Sequence, residues 1–521
     1  MGMVANPQRI ASAFQVFFGP YGAVTAHAQE RGVCRQWLYR EAADVLATLD
    51  CQPWRQANDQ LRQQVHELQE QVKTLQRRLA QAVVLDGDKQ AEVATVAQAV
   101  GVSLPNCRTL LEVLIPEPLS VATLGRRSQE AAKKAGALLS VLDAWTQPHV
   151  QQAAADEIYV RDPVLMVVEP ESLCWVSGRL SDQVDGPAWA QEFGHLPHLE
   201  EVMRDGGKGL EKGVALVNAQ RQEQGQSRVV DQGDHFHATR GSGVGLRKRE
   251  AAARQALAEV ETAEKELQEC QRQGHKLTGP TRRLRAALQR AEAALDAWSA
   301  VEQAWQQTKG ALHLVTAEGT LNTREQATAV LAATLPQLPD EGFSKIKRLV
   351  QKPEMLNFLD QVQQKLQALP YPPEVKHAAV RQECLRRRPE LLRGEGTRAA
   401  ALRGVLLTCA VVLSKAGDAG QQAGAAVRDI FRRAYRASSL VECINSVLRM
   451  QQASHRNLTQ GLLDLKRLYW NGHTFRTGRR RKTTPYQRLG VPWPEGLRWW
   501  DLLKLTPEQL RDKLSTAEKA P

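Results

Sequence analysis

The stretch AADEIYVRDPVLMVVEPESLCWVSG, residues 154–178, reads as three short strands in succession. Asp156–Val160, Val164–Val168 and Leu173–Val176 are rich in aliphatic and aromatic residues, and Asp162-Pro163 and Glu169-Pro170-Glu171-Ser172 supply turns between them. Asp156 opens the first strand where its surroundings become apolar. A carboxylate at the edge of a sheet core pays for desolvation unless a cation or hydrogen-bond donors meet it. Asp156 is therefore the first candidate functional residue.

The chain downstream continues the same core. Pro187–Phe193 predicts a helix, and Glu200-Glu201-Val202-Met203 a short buried strand with Asp205 at its C-terminal end. Gly206, Gly207 and Gly209 let the backbone turn into a helix over 210–220. Ligands gather at strand ends in such sheets. Arg228–Asp231 starts another strand. His235 and His237, which follow Asp231 and Asp234, form either a histidine–carboxylate metal site or a packed strand end. The order β-β-β-α-β-α-β predicts a mixed α/β core.

Residues 8–48 read as three helices, the first with Ile10, Phe14, Val16 and Phe17 on an apolar face. A short helix from Ala23, the turn Arg31-Gly32-Val33, and a longer helix over 34–49 resemble a helix-turn-helix. Arg35, Gln36 and Tyr39, near the start of the longer helix, are placed to read base edges, the plainer reading being a helical hairpin. Leu61, Val65, Leu68, Val72, Leu75 and Leu79 alternate four- and three-residue steps, a coiled-coil seam over 55–84. Ala91–Val100 and Leu104–Leu114 around Gly101-Val102-Ser103 suggest a second helix-turn-helix-like region over 85–148.

From Leu246 the pattern is helical throughout. Two amphipathic helices flank a turn at Gly274–Pro280, and more helices run to about residue 436, broken at Pro370–Pro373 and Pro389. His313, His377 and the Arg386–Arg388 run read as surface or packing residues, so 245–436 is an all-helical insertion. Ser438 or Ser439 caps the next helix, which carries Glu442, Asn445, Ser446 and Arg449 on one polar face. A stripe from Leu458 to Leu468 ends at Asn471-Gly472. Beyond it Arg476, Arg479, Arg480, Arg481 and Lys482 precede Trp493, Trp499 and Trp500, a DNA-holding surface or a solvated tail with an aromatic latch.

The chain of 521 residues has room for roughly three or four domains. Lys and Arg outnumber Asp and Glu, 69 to 57, giving a net charge of +12 that favours a polyanionic partner. The eight cysteines form no C-x-x-C pair, which argues against a zinc ribbon or a disulfide framework. The N-terminus has no apolar signal core, and the best apolar run, Val405–Leu413, is well short of the ~20 residues of a membrane span. A cytoplasmic protein with no membrane segment is expected.

These residues carry a resemblance. Asp156 on the first strand, Asp205 in MRDGGKG, Glu442 in SSLVECINSVLR and the trailing YWNGHTFRTGRRRKTTPYQRLG together resemble bacterial insertion-sequence transposases of the DDE class over about residues 150–490. The resemblance implies a ribonuclease H-like core, a mixed sheet flanked by helices, in two parts, 149–244 and 437–475, split by the helical insertion. The rest would be a helix-turn-helix over 1–54, the coiled coil and second helical region given above, and a basic, aromatic tail over 476–521. It further implies two Mg²⁺ ions, replaceable by Mn²⁺, on Asp156, Asp205 and Glu442, and metal-dependent cleavage of double-stranded DNA at transposon ends with strand transfer into a target. Lys208, Asn445 and Arg449 would touch DNA phosphate or orient Glu442, with Glu383 or Glu390 as fallback third carboxylates. A homodimer associated with the nucleoid would follow. The rival expectations are a non-catalytic DNA-binding regulator, another ribonuclease H-like nuclease such as a junction resolvase, and a structural coiled-coil protein.

Overall fold

The computed structural model describes residues 6–48, 52–81, 85–452 and 458–519. Leu49, Cys51 and the end of the expected coiled coil at 82–84 lie outside the described residues. The chain divides into two units, Met1–Leu85 and Asp86–Pro521.

The first unit is helical. Helices α1 (Pro7–Phe18), α2 (Ala23–Arg31) and α3 (Arg35–Thr48) pack around Ala13, Ala42 and Val45. Gly32 ends α2 with φ of 63°, a backbone conformation that costs a side chain. Buried Glu41 binds Arg31 at 2.8 Å and Arg9 at 3.3 Å, which ties the three helices together. Helix α4 (Gln52–Gln81) leaves Leu61, Val65, Leu68, Val72 and Leu75 all exposed along one stripe.

The second unit opens with α5 (Gly87–Ala99), α6 (Leu104–Leu114) and α7 (Val121–Thr146), each capped by an Asp or Ser side chain. Its centre is one five-stranded mixed sheet in the order β3-β2-β1-β4-β5. The strands are β1 (Gln152–Tyr159), β2 (Pro163–Glu169), β3 (Cys174–Leu180), β4 (Glu201–Arg204) and β5 (Val230–Gly233). β1–β2 and β2–β3 are antiparallel, whereas β1–β4 and β4–β5 are parallel. Asp156 does not open β1; it lies mid-strand. Ala153–Ala155 precede it as fully buried strand residues despite the low strand propensity of alanine, because packing on both faces outweighs propensity.

Alternation along β1 sends Ala153 and Ala155 to one face, against Trp189 and Phe193 of α8 (Gly186–Gly194) and Val214 and Val217 of α9 (Lys208–Glu223). Ala154 and Ile158 face the other way, where Val441, Ile444 and Leu448 cover the sheet. Asp156 shares this second face by the period of two.

After β5 come the short α10 (His235–Thr239) and the long hairpin α11 (Ser242–Arg272) and α12 (Thr278–Ala311), which meet through Val260, Ala263, Ala287 and Ala291. Helices α13 (Arg324–Thr334), α14 (Ser344–Val350), α15 (Asn357–Gln367), α16 (Pro373–Arg386), α17 (Thr397–Lys415) and α18 (Gly417–Arg432) complete the helical segment. It is fastened to β5: Phe358 N donates to Gln232 Oε1 at 2.7 Å and Asn357 Nδ2 to Asp231 O at 2.6 Å. Among the described residues α17 is the one helix long and apolar enough to cross a membrane, a longer apolar stretch than Val405–Leu413 because small residues extend it. Its Ala399, Cys409 and Leu413 are buried, and Arg403 binds the Leu392 and Gly394 carbonyls.

Helix α19 (Ser439–Gln452) returns to the sheet, and α20 (Gln460–Gly472) runs along the edge strand β3. Gln460 accepts from Leu180 N at 2.9 Å and donates to Gly178 O at 3.0 Å. Asn471 accepts from Trp175 N at 2.8 Å and donates to Trp175 O at 2.9 Å. These amides stand where a sixth strand would pair. Helices α21 (Pro485–Leu489), α22 (Trp499–Leu502) and α23 (Pro507–Glu518) close the chain. Tyr486 stacks on Trp493, and buried Trp499 meets Tyr469 edge-on. The C-terminal aromatics are thus packed: the latch is present, and the segment is not a solvated tail.

Candidate active site

The parallel register places Ala155 opposite Arg204, so Asp156 and Asp205 follow side by side on neighbouring strands. Glu442 arrives from the first turn of α19 on the Asp156 face. Asp205 and Glu442 thus each come within electrostatic reach of Asp156. Asp156, Glu442 and His237 each offer one ligand atom, and these atoms all lie within 4.8 Å of one another, a tight group to which Asp205 does not belong.

Hydrogen bonds hold each group in place. Asp156 is 6% exposed; its Oδ1 accepts from Glu157 N at 2.9 Å and its Oδ2 from Asn445 Nδ2 at 3.0 Å. Asp205 Oδ1 accepts from Gly207 N at 2.7 Å. Arg449 Nη1 holds Glu442 Oε2 at 2.9 Å. Glu157, on the same strand, is drawn into the Asp205 field, and its Oε2 is buried with no hydrogen-bond partner, as is Asn445 Oδ1.

The electrostatics are those of a buried acidic cluster that Arg449 and His237 offset in part. Burial, then repulsion from Asp205, pushes the Asp156 carboxyl up to about 7, with His237 working the other way. Burial and Asp205 also raise Glu157. The bond from Asp234 raises His237 against the effect of its burial.

Of the two histidines, His235 is the packed one: Nε2 lies 2.6 Å from Met355 O, the ring meets Phe358 edge-on, and burial lowers its pKa to about 4. His237 instead joins the acidic group, its Nε2 lying 3.7 Å from Glu442 Oε1. The D-x-x-H spacing of Asp234 and His237 is the local sign of this; its partner at 442 is too distant in sequence to be seen. Ser438 does not cap α19; its hydroxyl and amide both donate to Asp234.

The other expected site residues divide. Asn445 is fully buried and donates to Asp156, so it positions that carboxylate. Of the polar face of α19, Asn445 points inward while Ser446 and Arg449 are exposed, a difference that periodicity alone does not reveal. Arg449 orients Glu442. Arg480 is pinned to the Glu171 and Pro170 carbonyls, whereas Arg479, Arg481 and Lys482 are exposed, as is Lys208 at the start of α9. Arg35, Gln36 and Tyr39 are exposed on α3. Glu383 and Glu390 are in ion pairs with Arg387 and Arg388 inside the helical segment. Searches of the chain against protein-family models, curated proteins and solved structures found no match.

Proposed function

We propose that the protein is a DDE-type DNA transposase with a ribonuclease H-like catalytic core. One observation carries the reading. Asp205 and Glu442, far apart in sequence, both come within electrostatic reach of Asp156 at a sheet whose strand order, 3-2-1-4-5 with the first three antiparallel and the last two parallel to the centre, supports a ribonuclease H-like reading. The helical segment between β5 and α19 stands where such transposases carry their insertion.

The donor set suits divalent cations of the magnesium class. It offers carboxylate oxygens from Asp156 and Glu442 within one small group, with Asp205 beside Asp156. Asp156, Asp205 and Glu442 would hold the ions. When bound, they would neutralise charge on the attacking and leaving oxygens of a phosphodiester and make a bound water a better nucleophile. The chain's own residues prepare that site. Asn445 fixes one oxygen of Asp156, Gly207 N fixes one of Asp205, and Arg449 restrains Oε2 of Glu442. Exposed Lys208, Arg479, Arg481 and Lys482 are available to DNA phosphates, and Arg35, Gln36 and Tyr39 to base edges. A cytoplasmic, nucleoid-associated location accords with this.

The test is incubation of the full chain with DNA bearing its own gene's flanks, in Mg²⁺ or Mn²⁺. The expected result is nicks at discrete flanking positions, absent in EDTA. Binding without any cut would favour the DNA-binding regulator. Because Met1–Leu85 forms its own unit, a chain beginning at Asp86 should fold and lose the footprint at those ends; an unchanged footprint in DNase protection would exclude α1–α3 as the readers.

The partner proposed for α4 is a second copy. Valine at positions 65 and 72 alternates with leucine at 61, 68 and 75, and Asn58 falls on the valine row. β-Branched residues at one seam position, leucine at the other and a single asparagine favour a parallel two-stranded coil. Gln64, Gln69, Gln71 and Gln76 flank the seam without charge repulsion between like chains. Leu68→Arg should convert a dimer to a monomer of 57.9 kDa in sedimentation equilibrium; an unchanged mass would refute the pairing.

A further inference from the structure

His237 is held so that one chosen nitrogen faces the carboxylates. Asp234, at the turn from β5 into α10, accepts from His237 N at 3.0 Å, from His237 Nδ1 at 2.9 Å, from Ser438 N at 2.7 Å and from the Ser438 hydroxyl. Its side chain is fully buried. The bond from His237 Nδ1 to Asp234 engages that nitrogen and leaves Nε2 as the ring nitrogen turned to the site.

Nε2 is 3.7 Å from Glu442 Oε1, too far for a hydrogen bond. Two donors about 2.1 Å from one cation stand about 3.0–3.4 Å apart at octahedral to tetrahedral angles, so a small inward movement would seat an ion between them. Asp156 supplies a third donor within the same 4.8 Å group. Asp234 also fixes Ser438, the residue before α19, so one carboxylate sets both the imidazole and the start of the Glu442 helix. A carboxylate behind a histidine that faces a donor cluster is the arrangement that orients metal-bound imidazoles.

We propose that His237 Nε2 is a direct ligand of the divalent ion held between Asp156 and Glu442, oriented by Asp234, and that it biases this position toward Mn²⁺ over Mg²⁺. Magnesium keeps to oxygen and water, whereas manganese, though also fond of oxygen, belongs to the first-row series that mixed nitrogen and oxygen sites bind. The inference rests on the metal-dependent reading above. The competing role for His237 is an imidazolium that offsets the acidic charge without touching the ion.

Pulsed electron paramagnetic resonance of the full chain loaded with Mn²⁺ separates the two, because a coordinated imidazole nitrogen modulates the manganese echo. The expected result is a nitrogen modulation that disappears in His237→Ala, together with about a tenfold or greater loss of Mn²⁺ affinity and a smaller loss for Mg²⁺. Where the alanine variant fails to fold by circular dichroism, His237→Gln, closer in bulk, is read the same way. Bound Mn²⁺ without nitrogen modulation overturns His237 as a ligand and leaves the carboxylate site standing, and so does a modulation that survives the substitution. Failure of the wild-type chain to bind Mn²⁺ overturns both.

Discussion

Replacing Asp156 by Asn is expected to abolish metal-dependent cleavage and, in EDTA, to raise the melting temperature. If Asp156 holds the proposed ions, its loss would remove several kcal/mol of transition-state stabilisation, so the cut should slow on the order of 10³-fold or more. The stability gain has a separate origin. Burial and Asp205 raise the Asp156 pKa to about 7, so folding favours the protonated carboxyl. Its stabilising contribution is full below the unfolded value near 4 and is lost as pH rises through about 7. An amide carries no charge to repel Asp205, though it loses one of the two bonds from Glu157 N and Asn445. The net gain at pH 8 should be about 1–2 kcal/mol. Melts in EDTA between pH 5 and pH 8 should show the wild type falling toward the alkaline end and the variant much less so. Saturating Mg²⁺ should reverse the ranking at pH 8, because ion binding stabilises only the intact site. Equal melting points at pH 8 in EDTA would show that the cluster is already neutralised.

Arg467→Met should cost about 3–5 kcal/mol in denaturant unfolding. The guanidinium is buried, donates through Nε to Trp175 O at 2.9 Å, reaches Val176 O, and forks onto Asp143 of α7 with Nη1 3.1 Å from Oδ2. One side chain thereby joins α20, β3 and α7. Methionine fills the space but takes the guanidinium donors from Asp143 and Val176 O, while Trp175 O keeps only the Asn471 amide. Arg467→Lys should not restore the loss, because an ammonium cannot make the planar fork. Arg467→Met with Asp143→Leu should recover part of it. A single-variant loss below about 1 kcal/mol would mean that water replaces the guanidinium.

The sheet and the order of elements were legible because aliphatic runs and their turn residues stand out locally. The start of β1 was not, since Ala153–Ala155 owe their conformation to layers far away in sequence. Asp205 was readable from the glycines that follow a short strand, and Glu442 from the helix around it. The bond of Asn445 to Asp156 was not legible, because a polar stripe has the same period whether it faces solvent or a buried carboxylate. The role of His237 depends on Asp234, three residues away, and on Glu442, which only the folded chain brings near. The packing of Trp499 on Tyr469 bears out the aromatic latch and leaves Arg479, Arg481 and Lys482 before it exposed.

The side chains that cap β3 bear on how the chain must be made. Gln460 and Asn471 lie 280 and 296 residues after the backbone groups they cover. At ribosomal speeds of about 5–20 residues per second, the apolar ribbon containing Trp175 emerges roughly 15–60 s before its cover. During that interval its open edge can pair with another nascent chain. Products truncated before α20 should therefore collect in inclusion bodies, and rapid translation of the helical segment would shorten the exposure.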